Sequence, residues 1–82
     1  MTEKQLRDNI IVKMLDYRDE VGVGIDEFCN AKNITFSSDE QKERVFNYLN
    51  DNGYIHAEFF IGGDGYFNIT SEGIDYAEGL IE

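Results

Sequence analysis

The apolar residues of this 82-residue chain change their spacing once, at Asn52-Gly53, and that change limits what it can fold into. Before it they recur at three- and four-residue intervals, the period of an amphipathic helix; after it they alternate, the period of a strand covered on one face. No proline occurs, so glycine and asparagine supply the punctuation. A chain of this length buries one core and not two, which predicts a single α+β domain over residues 1–82.

The first helix is expected to start at Thr2, with Gln5 placed to reach back in a capping box. Leu6, Ile10, Met14 and Tyr17, with Ile11 and Leu15 beside them, form an apolar stripe over residues 3–19. Val21-Gly22-Val23-Gly24 reads as a brief extended link or an edge strand. A short second helix follows on Ile25, Phe28 and Cys29, with Ala31 on its small-residue side and Asn33 as a left-handed stop. Ser37 and Ser38 each precede Glu40 or Gln41 by three residues, which offers the third helix two capping boxes. That helix turns Val45, Phe46 and Leu49 inward and ends near Asp51.

In the alternating half, Ile55, Ala57, Phe59 and Ile61 fall on one face and Tyr54, His56, Glu58 and Phe60 on the other. Gly62-Gly63-Asp64-Gly65 predicts a turn, and Tyr66 to Ile69 the returning strand, with Phe67 and Ile69 inward. Thr70 is the expected N-cap of a last helix, Ile69 and Ile74 make a hydrophobic staple, and Ala77, Leu80 and Ile81 extend the buried side.

The runs Leu49-Asn50-Asp51-Asn52-Gly53-Tyr54-Ile55 and Ile69-Thr70-Ser71-Glu72-Gly73-Ile74 resemble a pattern of the winged-helix (winged helix-turn-helix) superfamily. There the third helix ends in a Gly-aromatic-Ile step and the hairpin, or wing, ends in Leu/Ile-Thr-x-x-Gly. The chain is also similar in length to the small YjcQ-type winged-helix proteins associated with phages. This resemblance implies three helices, a β-hairpin wing and a short C-terminal helix, and for many members a DNA-binding regulatory role through the third helix.

The charges of this sequence depart from that role. Seventeen acids face seven bases, and every Lys and Arg precedes residue 45. The outward positions of the third helix read Asp39, Glu40, Glu43, Arg44 and Asn47, and the expected wing tip contains Asp64. Carboxylates stand where a DNA-binding relative would place phosphate contacts, so duplex DNA is not expected to bind in the usual third-helix mode. Glu3 with Arg7, and Glu40 with Arg44, have helical ion-pair spacing.

No catalytic, cofactor-binding or metal-ligating constellation is expected, and so no enzyme. His56 lies on an outer strand face without a nucleophile partner, Cys29 reads as a buried structural thiol, and the glycine turn lacks the Lys-Ser/Thr of a phosphate loop. One cysteine and the lack of a long apolar run point to a cytoplasmic protein with no membrane contact. The leading expectation is a non-enzymatic protein-interaction module that meets a basic partner or a second copy of itself through Tyr54, Phe60 and Tyr66. The alternative is a DNA-binding regulator that uses Lys4, Arg7, Lys13 and Arg18 of the first helix. A third reading, drawn from the charge of −10 and the phage-associated resemblance, is a DNA mimic that blocks a nucleic-acid-binding protein.

Overall fold

The computed structural model describes residues 1–62 and 64–82. It is α+β, with four helices and one three-stranded antiparallel sheet. Helix α1 spans Glu3–Met14, followed by a 3-10 turn over Leu15–Tyr17; β1 is Val23–Gly24, α2 Ile25–Ala31, α3 Asp39–Asp51, β2 Ile55–Phe59, β3 Gly65–Ile69 and α4 Ser71–Ile81. The sheet order is β1-β3-β2, so the hairpin β2–β3 gains a third strand from the segment just before α2. Gly63 of the expected turn lies outside the described residues.

The helix ends follow from local chemistry. Thr2 and Gln5 form the capping box, with the Gln5 amide donating to Thr2 Oγ1 at 3.1 Å and the Thr2 amide to Gln5 Oε1 at 2.8 Å. Of the two serines before α3, Ser38 is the cap, accepting from the Gln41 amide, while Gln41 Oε1 accepts from the Ser37 amide. Helices α2 and α3 both stop in Schellman turns. Asn33 at φ 56° lets the Ile34 amide reach the Cys29 carbonyl, and Gly53 at φ 76° lets the Tyr54 amide reach that of Leu49.

The Gly53-Tyr54 step and the Ile69-Thr70-x-x-Gly73 run have a structural role here. Thr70 Oγ1 donates to the Gly53 carbonyl at 2.5 Å and accepts from the Gly73 amide at 3.0 Å, so one hydroxyl joins the end of α3 to the start of α4. The Thr70 amide also donates to the Tyr54 carbonyl. Gly73 is glycine because the backbone passes so close that an added Cβ would sit 1.9 Å from the Tyr54 carbonyl oxygen. A third device guards the sheet edge: Asn50 Oδ1 accepts from the Ala57 amide, which points away from β3.

Three phenylalanines with no exposed surface centre the core: Phe67 of β3 lies 5.1 Å from the Phe28 ring and 6.2 Å from that of Phe46. Ile10, Ile11 and Met14 of α1, Ile25 of α2, Val45 and Leu49 of α3, Ile55 and Ala77 close around them. Each of these side chains larger than alanine contributes about 1.5–3 kcal/mol when fully buried.

The structure corrects several sequence expectations. The first helix tightens to a 3-10 turn after Met14, and this turn carries Tyr17 to an edge-on contact with Phe28 at 5.3 Å. Strand β2 ends at Phe59, so the alternation stops there and Ile61, expected inside, is fully exposed in the turn. Leu80 and Ile81 are exposed as well, because α4 meets α1 through Ala77 and a Tyr76–Asp8 hydrogen bond of 2.7 Å, leaving Leu80 at the margin beside Val12. The expected pairs Glu3–Arg7 and Glu40–Arg44 do not form; Arg44 instead reaches across to Glu3 in a forked contact, 2.9 Å from Nη2. A rigid guanidinium fork suits one carboxylate between packed helices better than a neighbour along its own.

The Tyr76–Asp8 bond also predicts a pH dependence. Hydrogen bonding to Asp8 and burial push the Tyr76 phenol up to about 12, above its unfolded value of about 10. A raised folded-state pKa stabilises below the unfolded value and is lost as pH climbs through the folded one. The stability difference between wild type and Tyr76→Phe is therefore expected to shrink from pH 10 to pH 12 in urea titrations.

Candidate functional site

Helix α3, the first turn of α2 and the hairpin enclose a groove of about 510 Å³, lined by Asp26, Asp39, Lys42, Glu43, Phe59, Phe60 and Gly62. Its helical wall follows from α3 spacing: Asp39 and Glu43 lie four residues apart on one face, beside the buried stripe of Val45, Phe46 and Leu49 that anchors the helix. Asp39 also sits in the first turn, where the helix dipole favours negative charge. Lys42 spans to Asp26 in an ion pair, tying α3 to α2. Neither Asp39 nor Glu43 has an ion-pair partner among the described residues.

The hairpin wall is aromatic. Phe59 is 38 % exposed and rests edge-on against buried Phe46 at 6.4 Å, so one side of the ring belongs to the core and the rest to the groove. Phe60 is 56 % exposed and packs edge-on against Tyr66 at 5.6 Å. The Tyr66 hydroxyl donates to Glu58, which raises the phenol pKa and holds the ring that backs Phe60. The hairpin is docked on α2 by Asp64, whose Oδ1 accepts from the Gly65 amide at 2.7 Å and lies 3.4 Å from the Asp26 amide.

Phe60 and Tyr66 thus stand together on the hairpin, whereas Tyr54 lies elsewhere. It is half-buried and stacked on Tyr76, with centroids 4.5 Å apart and planes 15° from parallel. Its ring is taken up in holding α4 to the sheet.

Lys4, Arg7 and Arg18, bases that the sequence assigns to the first helix, each have a neighbour of their own, and Arg18 falls just past the 3-10 turn. Lys4 pairs with Asp8 at 2.6 Å, Arg7 lies over the Tyr48 ring at 3.9 Å, and Arg18 approaches Glu78 at 3.8 Å. Lys13 is half-buried. Burial pushes the Cys29 thiol up to about 11, which keeps it protonated at neutral pH. His56 is exposed on β2. Among the described residues no three His, Cys, Asp or Glu side chains could hold a metal ion, and no helix is long and apolar enough to cross a membrane.

The sequence marks the acids of α3 and both Phe60 and Tyr66, but its alternation puts Phe59 on the core face. The missing signal was the end of β2 at Phe59, which lets that ring serve both core and groove. Comparison with known proteins returns no matching family model, no similar curated protein and no similar solved structure.

Proposed function

We propose that this chain is a non-enzymatic, winged-helix-type module that binds a basic protein partner through the face formed by α3 and the hairpin. The order of three helices, hairpin and terminal helix, with a short strand before the second helix joining the sheet, supports the winged-helix reading. One observation carries the choice of partner: the groove on that face holds three carboxylates against one ammonium, and that ammonium is already paired. The only Arg of α3 is likewise engaged, by Glu3. A phosphate backbone approaching α3 would meet unpaired negative charge at Asp39 and Glu43.

The helix-one route to DNA has less support, because Lys4 and Arg18 are each matched with an acid. An enzyme reading finds no support in the one cysteine, which is buried, or the one histidine, which is exposed.

The test has two arms. In light-scattering chromatography at about 50 mM salt, where electrostatic association with DNA is strongest, the protein is expected to elute apart from a random-sequence duplex. Immobilised wild type is expected to retain a basic protein from extracts of the cells that make it, and the Asp39→Lys, Glu43→Lys double variant to lose it with unchanged circular dichroism. Co-migration with duplex that weakens as salt is added overturns the proposal in favour of a DNA-binding regulator.

A further inference from the structure

We infer that the α3–hairpin groove recognises an arginine-bearing segment of the partner, with the guanidinium laid on Phe60 and Phe59 and its donors directed to Asp39 and Glu43. This deepens the proposed function and rests on it. The groove volume falls in the range that takes a few side chains rather than a broad surface. Its two walls ask for different properties of the same group: the carboxylates for a cation that donates hydrogen bonds, the aromatic rings for one that is flat and weakly hydrated. A guanidinium meets both demands, because it stacks on an aromatic face and offers a fork of N–H donors to a carboxylate. An ammonium is a compact, strongly hydrated charge that gives up more to lie against a ring.

The aromatic wall is organised before any ligand arrives. Phe59 is braced by Phe46, and Phe60 by a tyrosine whose own hydroxyl is tied to Glu58. A platform held in this way loses little freedom on binding. The Lys42–Asp26 pair occupies one carboxylate and leaves Asp39 and Glu43 as the two acceptors, both on α3 and both within the groove lining. Beyond the groove, Ile61 projects fully exposed from the turn and offers an apolar contact to a residue flanking the arginine.

The experiment titrates the intact protein with two fluorescent peptides of about twelve residues, one alternating Arg and Gly and the other Lys and Gly, at about 100 mM salt. The Arg peptide is expected to bind about fivefold more tightly than the Lys peptide and to shift the backbone amide resonances of residues 39–43 and 59–62. Asp39→Asn with Glu43→Gln is expected to weaken it about tenfold, and Phe60→Ala about fivefold and only for the Arg peptide. Asp75→Asn with Glu82→Gln, which removes the same charge from exposed positions on and just after α4, is expected to change it less than twofold.

Equal affinity for the two peptides, or equal loss in both acid-removal variants, means that only the overall charge is sensed and overturns the inference. If that happens while the extract still yields a basic protein sensitive to Asp39→Lys with Glu43→Lys, the interaction module stands and only the arginine site falls. If the Arg peptide seats in the groove but no basic partner is retained, the site stands and the natural ligand is not a basic protein of that cell.

Discussion

Replacing Gly73 by alanine is expected to lower the melting temperature by about 15 °C, corresponding to about 3 kcal/mol in a domain of this size. The added methyl would lie 1.9 Å from the Tyr54 carbonyl oxygen and 2.9 Å from Ile69 Cγ1, and the first of these is backbone that cannot swing aside. Either α4 lifts from the start of β2 or the strand shifts. Both movements break the hydrogen bonds that Thr70 makes to the Gly53 carbonyl and from the Gly73 amide. Gly79 on the same helix is the control. Nothing lies within 4 Å of its Cβ position, so Gly79→Ala is expected to raise stability by about 0.5–1 kcal/mol through helix propensity alone. Thermal melts of the two variants beside wild type check both signs; equal and opposite small effects would mean that α4 adapts to the methyl.

Phe67→Ala is expected to cost about 4 kcal/mol, close to the whole stability of a small domain, and to leave a population that is largely unfolded at 37 °C. Phe67 has no exposed surface and is the ring through which Phe28 of α2 and Phe46 of α3 communicate, at 5.1 and 6.2 Å. Its removal opens a cavity bounded by three elements at once, which limits how far any one of them can collapse into it. Phe67→Leu retains much of the volume and is expected to fold with a loss of about 1–2 kcal/mol, measurable by urea denaturation. An alanine variant that loses no more than the leucine one would show that the core closes over the missing ring.

These stability effects lie apart from the candidate site. Phe67 and Gly73 are both buried and line no part of the α3–hairpin groove, whereas Asp39, Glu43 and Phe60 line it and lie outside the buried core. Variants of the second group can therefore be read for binding without the fold being at stake. The separation also explains why the motif resembling winged-helix proteins says little about function. Thr70 and the glycines Gly53 and Gly73 lock α3, β2 and α4 together, a task that any protein of this architecture would share whatever it binds.

Local chemistry made most of the secondary structure legible in the sequence. The capping hydroxyls of Thr2, Ser38 and Thr70, the left-handed stops at Asn33 and Gly53, and the switch to alternation at Tyr54 each depend on residues within a few positions of one another. The segment between α2 and α3 forms no regular element, yet Ile34 and Phe36 pack half-buried against the core, Phe36 with its ring 6.3 Å from that of Phe46. Their partial burial is set by surfaces elsewhere in the chain, such as Phe46 of α3, and the short alternation Asn33-Ile34-Thr35-Phe36-Ser37 does not by itself say what covers it.

The charges show the same division. The sequence alone determined that acids dominate and that the outward face of α3 carries Asp39, Glu40 and Glu43. Only the tertiary structure decided which of them are neutralised: Lys42 is committed to Asp26 and Arg44 to Glu3, partners 16 and 41 residues away, while Asp39 and Glu43 are left beside two exposed phenylalanines. Helical spacing ranks neighbours along one helix, but an ion pair forms wherever packing brings opposite charges within reach, and packing is a property of the whole chain.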